Sequence, residues 1–284
     1  MSARLRTELQ RIERRLEQRE RRRQPVPFVD AAAWAVSTGV VLDDWQRAAL
    51  TSASDRQLWL CGRQTGKSST AARLALWTAL SQPPALVLLL ARALRQSQEG
   101  FRKVLDAYNA TGGRCPAEAE SALRLELTNG SRIIALPGKE DTIRSYSGVS
   151  LLVIDEASRV PDPLYYAVRP MLAVSGGRLV CLSTPWGKRG FFYQEWTEGG
   201  PRWERTKITA AQCLRIPRSF LEEERATMPE RLYRQEYGCS FEDTEDAVFS
   251  SEDIEAAMSH DVEPLFPLHN GMVEPTPERV LVRA

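Results

Sequence analysis

Short unbroken apolar runs alternate with segments whose apolar residues recur every three or four positions, starting near residue 57. The runs at residues 57–61, 85–91 (ALVLLLA), 151–154 and 178–182 suit strands buried on both faces of a parallel sheet. Between them the spacing predicts helices from residue 67 to about 80 and from about 94 to 108, the first broken by Pro83-Pro84. Residues 123–127 and 132–136 alternate with period two around Thr128-Asn129-Gly130-Ser131, which is a hairpin signal. An aromatic helix over 191–196 and a strand over about 203–208 extend the alternation. The pattern predicts an α/β fold: a mostly parallel sheet with helices on both faces.

The flanks have a different texture. Leu5, Leu9, Ile12 and Leu16 form a narrow apolar stripe on a helix that Pro25 and Pro27 end. One helical segment is expected over about 34–52. Residues 218–238 read as polar and helical, with Pro229 opening a second helix, and the chain beyond about 250 reads as a linker. The resulting division is a charged N-terminal helix (1–25), a core (26–212), a small helical subdomain (213–250) and a linker (251–284).

Composition narrows the class. Hydrophobic residues at 43% and charged residues at 26% place the chain among ordinary globular proteins. The longest apolar runs are too short to span a bilayer, so no membrane role is expected. The five cysteines are scattered without CxxC spacing, which argues against a zinc site or a disulfide framework and for a reducing cytoplasm. Charge is unevenly spread: nine Arg and four Glu give residues 1–24 a net +5, leaving −4 for the rest. A solvated helix accounts for this run; the alternative is an arm that touches nucleic acid or a partner.

The chemistry lies at strand ends. Cys61-Gly62-Arg63-Gln64-Thr65-Gly66-Lys67-Ser68 falls between a predicted strand and a predicted helix, the context of a phosphate-binding loop. Backbone N–H groups there cradle phosphate oxygens and the helix adds its positive dipole end. Lys67 is placed to bridge the β- and γ-phosphates and Ser68 to bind Mg²⁺. The motif has Cys61 where Gly is usual, with Gly62 next to it. Asp155-Glu156 ends the strand at 151–154: Asp155 is the candidate Mg²⁺ carboxylate and Glu156 the group that polarises the attacking water. Ser183-Thr184 ends the following strand, where open α/β sheets bind ligands. These hydroxyls either sense the γ-phosphate or cap a turn before Pro185. Gln46 is a candidate for the purine edge, since its amide both donates and accepts.

Trp45-Gln46, CGRQTGKSS, LLVIDEAS and CLSTPWGKRGFFYQEW, in that order, resemble the ATPase domain of a large terminase subunit of tailed phages or prophages. The likeness covers roughly residues 40 to 240. In that family too the loop departs from Gly at the position of Cys61. The resemblance implies a P-loop NTPase of the RecA-like class with a helical lid at 213–250, using ATP and Mg²⁺. It implies adenine contact by Gln46, nucleotide binding along Cys61, Gly62, Arg63, Gln64, Thr65, Gly66, Lys67, Ser68 and Ser69, and coupling through Ser183 and Thr184. Asp155 and Glu156 match the Walker B aspartate and catalytic glutamate. Arg144, in Thr142-Ile143-Arg144-Ser145, matches a segment that carries a trans-acting arginine finger in some members.

Such proteins translocate double-stranded DNA into a capsid, so the implied partners are double-stranded DNA, the portal protein, the small terminase subunit and further copies in a ring, with the isolated chain as monomer or ring left open. The implied location is the host cytoplasm. Family members usually continue into an RNase H-like nuclease domain. Here the last strand-like stretch is 279–282, so the expectation is an ATPase-only protein or a piece of a longer one, without nuclease activity. Two other readings compete: a helicase-like ATPase, which lacks the Q-x-x-G-R-x-x-R motif it needs in 190–284, and a non-catalytic scaffold, against which the intact Lys67, Ser68, Asp155 and Glu156 argue.

Overall fold

Six strands line up in parallel. They are β1 (Arg56–Cys61), β2 (Leu86–Ala91), β5 (Arg132–Pro137), β6 (Leu151–Asp155), β7 (Arg178–Ser183) and β8 (Glu204–Ile208). The first five are apolar on both faces and so have helices to meet on either side, while β8 is more polar and closes one edge. With β3 (Ala117–Ser121) and β4 (Arg124–Leu127) the order is β3-β4-β5-β2-β6-β7-β1-β8. This computed structural model describes residues 30–112, 115–138 and 146–243, together with 257, 268–269 and 272–273. The predicted helix at 1–25 and the strand-like stretch at 279–282 lie outside the described residues.

The alternation of side chains along each strand sorts the core into two layers. Trp59, Val153, Val180 and Leu182 point to one face, where they meet Trp34, Trp45, Leu74, Leu76 and Phe101. Those partners come from α1 (Ala31–Ser37), α2 (Asp44–Thr51), α3 (Lys67–Ser81) and α4 (Leu94–Asn109). Leu58, Leu60, Leu152, Ile154 and Cys181 point to the other face, against Leu164, Tyr165, Phe191 and Phe192. These belong to α5 (Asp162–Val168) and α6 (Gly190–Thr197). Tyr165 and Phe191 stack at 3.9 Å between centroids, which locks α5 to α6.

The structure differs from the sequence reading at three places. The single helix expected over about 34–52 is two helices: Gly39, at φ +85°, turns the chain, and Asp43 opens α2 through a capping box with Gln46. The predicted hairpin at Asn129-Gly130 forms, and β3 extends it by one antiparallel strand. The chain reads AEAES in β3 and every residue is exposed, so no apolar pattern marks it. Helix α5 is seven residues long and begins next to Pro161, too short for periodicity to show.

After β8 the chain forms α7 (Arg218–Thr227) and α8 (Glu230–Glu236), with Pro217 and Pro229 as their N-caps. The pair has its own small core of Ala210, Leu221 and Tyr237, lined by Ile216, Met228 and Tyr233. It lies in the same compact unit as the sheet, which runs through Glu242. In the remaining unit, Leu268–His269 pairs antiparallel with Met272–Val273.

Candidate nucleotide-binding site

β1, β6 and β7 lie side by side in the sheet, so their C-terminal ends gather the loop after β1, the acidic pair after β6 and the hydroxyls after β7. The loop turns back on itself through left-handed conformations at Gln64 (φ 61°) and Gly66 (φ 89°) before α3 begins at Lys67. Thr65 Oγ1 donates to the Gly62 carbonyl at 2.9 Å and closes the loop from inside. A cavity of about 580 Å³ opens above it. Arg63, Gln64, Gly66, Lys67, Ser68 and Ser69 line it from the loop side, Gln96 and Lys103 from α4, and Glu156, Arg159 and Thr184 from the strand ends.

The start of the loop is seated against the far end of the chain. Gly62 N donates to Ile208 O at 2.8 Å and Arg63 N to Glu236 O at 2.9 Å. A Cβ on Gly62 would meet Ala210 N and Tyr237 O, each at 3.0 Å and both backbone. Glycine is needed at 62 for this close approach, while Cys61 occupies the buried strand end. Burial pushes the Cys61 thiol up to about 12, so it is a core group and not a nucleophile. Gly62→Val is expected to cost about 1–3 kcal/mol through overpacking, read as a lower urea midpoint at unchanged m. An unchanged midpoint would show that the backbone yields there.

The charged centre is a pair of acids with separate partners. Lys67 Nζ lies 3.2 Å from Glu156 Oε1. Burial works against the Lys67 charge, but the carboxylates of Glu156 and Asp155 outweigh it and hold the ammonium above its ordinary range. Asp155 Oδ1 accepts from Glu156 N at 2.9 Å, and Asp155 shares a small neighbouring cavity with Ser68. Burial and the neighbouring Glu156 charge push the Asp155 carboxyl upward, against the pull of Lys67 and Ser68. Glu156 itself sits at φ 50°, a left-handed conformation unusual for a residue with a side chain. Its carboxylate meets Lys67.

A short 3-10 turn, Ala157–Arg159, follows. Ser158 Oγ lies 2.6 Å from Ser183 Oγ and donates to Thr184 O at 2.8 Å, and Ser158 N donates to Ser183 Oγ. These bonds tie the acidic pair to the Ser183-Thr184 segment. The sequence pattern does not mark Ser158, although it stands two residues beyond Glu156. Arg159, next along, lies over the Trp186 ring at 3.7 Å and approaches Glu236.

The other expected residues are placed as follows. Arg63 donates from Nε to Glu236 at 2.6 Å. Ser69 is on the cavity wall. Gln46 is buried and its amide is committed: Oε1 accepts from Asp43 N and Nε2 donates to Thr70 Oγ1. Gln46, Cys61, Gly62, Thr65, Asp155 and Ser183 are not among the residues lining the cavity. Arg215, which the sequence does not mark, reaches from beyond β8 to Asp43 at 2.6 Å and to the Thr65 carbonyl at 3.0 Å. Arg144 lies outside the described residues.

Comparison with known proteins supplies the family and the fold. The family model for the terminase large subunit, T4likevirus-type, N-terminal, matches residues 58–256. The terminase large subunit of Thermus virus P23-45 is 24% identical over 245 residues, covering 74% of this chain and 50% of that protein. The chain therefore spans about half the length of the curated relatives it matches. The large terminase ATPase domain of Thermus phage P74-26 superposes with a TM-score of 0.65 at 21% identity, covering 72% of this chain and 96% of that one. A large terminase from a thermophilic bacteriophage, in complex with ADP, gives 0.59 at 13% identity, covering 73% and 53%. These structural likenesses establish the fold. Because the family model spans well over half of the residues, the chain belongs to the family of terminase large subunits, matched by the family's N-terminal model.

Proposed function

We propose that this chain is an ATP-hydrolysing motor domain that drives double-stranded viral DNA into a capsid. The observation that carries the reading is the Lys67–Glu156 ion pair on the wall of a cavity above a phosphate-binding loop, with Ser68 and Asp155 together beside it. Three supports agree: the family, a neighbour described as an ATPase domain, and large terminase structures in complex with ADP and with ATP-gamma-S.

The roles follow from the geometry. The loop N–H groups and the start of α3 receive the phosphates. Lys67 leaves Glu156 for the β- and γ-phosphates, and Glu156, thereby freed, takes a proton from the attacking water. Mg²⁺ fits the corner beside them, because Ser68 and Asp155 offer hard oxygens and the Asp155 carboxylate carries a burial penalty that a cation relieves. Bound there, Mg²⁺ supplies charge neutralisation on the phosphate oxygens. Ser158 holds Ser183 and Thr184 to the acidic pair, a route by which hydrolysis reaches the next strand. Helices α7 and α8, within the 213–250 subdomain, act as the lid. Arg144 serves as a finger towards a neighbouring copy in a ring, with the portal protein and the small terminase subunit as further partners in the host cytoplasm. Among the described residues no helix is long and apolar enough to cross a membrane.

Steady-state ATP hydrolysis against protein concentration, with and without duplex DNA, tests this. Turnover is expected to rise steeply with concentration, to fall by about 10²–10⁴ in Glu156→Ala, and to lose its concentration dependence in Arg144→Ala. Wild-type turnover at no concentration, with or without DNA, would remove the motor reading. Equal turnover of Arg144→Ala and wild type in an assembled ring would remove the finger.

A further inference from the structure

Two side chains that do not line the phosphate cavity adjoin the start of α3. A Cβ on Gly66 would meet Gln46 Nε2 at 2.8 Å and Arg215 Nη2 at 3.2 Å, so both groups flank the turn where the loop becomes helix. Gln46 is spent on the fold. Its Oε1 accepts from Asp43 N at 2.9 Å, its Nε2 donates to Thr70 Oγ1 at 2.9 Å, and the residue is 6% exposed. An amide reads a purine edge only when a donor and an acceptor both face the ligand. Here each has a protein partner already, and burial closes off what remains of the amide. Arg215 is the opposite case. Its Nη1 donates to Asp43 Oδ1 at 2.6 Å and its Nη2 to Thr65 O at 3.0 Å, which fixes the guanidinium, yet 46% of the side chain is exposed. Hydrogen bonds in the guanidinium plane leave its flat faces for stacking.

A nucleotide whose phosphates lie over Lys67 carries its base on to the neighbouring surface, and Arg215 is a fixed cationic plane beside Gly66, the residue before Lys67. We propose that Arg215 binds the base by stacking and that Gln46 does not read the base edge, so that the site takes purine nucleoside triphosphates without preferring adenine to guanine. This rests on the phosphate-loop reading above. Stacking is indifferent to the pattern of donors and acceptors, because every base has a π face for a guanidinium to cover. A site built to hydrogen-bond one edge instead rejects a molecule lacking the matching group by orders of magnitude. The bonds of Arg215 to Asp43 and Thr65 hold its plane before a ligand arrives, so little ordering is left to be done on binding.

The test displaces a ribose-labelled fluorescent ATP analogue from the full chain with ATP, GTP and inorganic triphosphate, in wild type and Arg215→Lys. Lysine keeps the charge and removes the plane. Wild type is expected to bind ATP and GTP within about threefold of each other, since stacking does not separate the two purines. Arg215→Lys is expected to weaken both by about fivefold or more and to hold inorganic triphosphate, which has no base to stack, within about twofold. A larger wild-type preference for ATP overturns the proposal and returns the base to a group that reads its edge. Equal weakening of all three competitors, or of none, removes Arg215 from the base site and leaves it a support for Thr65. The wild-type ratio decides by itself if circular dichroism shows Arg215→Lys to be unfolded. Wild type that binds neither the labelled analogue nor inorganic triphosphate would sink the phosphate-loop reading itself, an outcome distinct from a preference for one base.

Discussion

Lys67→Ala is expected to lower ATP turnover by at least about 10³ and to weaken nucleotide binding by about tenfold or more. Among the described residues no other side chain takes its position. Lys67 is the first residue of α3, and its side chain is only 12% exposed at the cavity floor. Three other cations line the cavity, but Arg63 and Arg159 are held at the wall by Glu236, and Lys103 comes from α4 on the far side. None of them can follow the γ-phosphate as charge develops on it. Removing the ammonium also strips Asp155 of a cation that opposes its burial, so the carboxyl moves further above its ordinary range. The fold should survive, because Glu156 is 27% exposed and finds water when its partner goes. Titration with a fluorescent ATP analogue and a coupled hydrolysis assay check both parts. A variant that turns over within tenfold of wild type would show that the phosphate loop has another primary cation.

The parts of this site that the sequence reveals are those that sit on one short stretch. Gly66-Lys67-Ser68 and Asp155-Glu156 each combine a strand end with adjacent polar residues, so spacing and periodicity place them together without coordinates. Glu236 is different. It lies 173 residues from Arg63 in a polar helix, and nothing in the sequence distinguishes it from Glu230 or Glu224; only the return of the chain to Gly62 buries it. Ser158 is intermediate, since its neighbours mark the spot but its bonds to Ser183 depend on β6 and β7 being adjacent. The same logic holds for the fold. Strands buried on both faces announce themselves, whereas β3 is exposed at the sheet edge and pairs by its backbone with β4. The break between α1 and α2 is hidden because apolar residues continue across Val40 and Val41, and the surrounding pattern outweighs the turn at Gly39. Gln46 shows the reverse case: its amide suits a ligand on chemistry alone, and the structure gives it a capping box and a bond to Thr70.

Asp155→Asn is expected to abolish turnover and, at the same time, to raise the melting temperature of the nucleotide-free chain. Burial and the Glu156 charge push the Asp155 carboxyl above its ordinary value of 3.8. The folded state therefore holds the proton more tightly than the unfolded chain, and stability falls as pH rises from that ordinary value through the raised one. Above both values the ionised carboxylate costs the fold its full penalty. Asparagine keeps the oxygen that accepts from Glu156 N and carries no charge, so the penalty disappears. Each kcal/mol relieved should appear as about 2–4 °C in the melting temperature for a unit of this size. Turnover should fall by at least about 10², because the carboxylate that completes the cation site is gone. Adding Mg²⁺ and an ATP analogue should then stabilise wild type and leave Asp155→Asn nearly unmoved, reversing their order. Acid narrows the gap as well: as pH drops through the raised value, wild type protonates Asp155, recovers the lost stability and approaches the variant. Thermal melts of both chains at neutral pH and near pH ~4, with and without Mg²⁺ and nucleotide, check this. A nucleotide-free variant that melts at or below wild type at neutral pH would mean that Lys67 and Ser68 already compensate the Asp155 charge, and that burial puts no net cost on it.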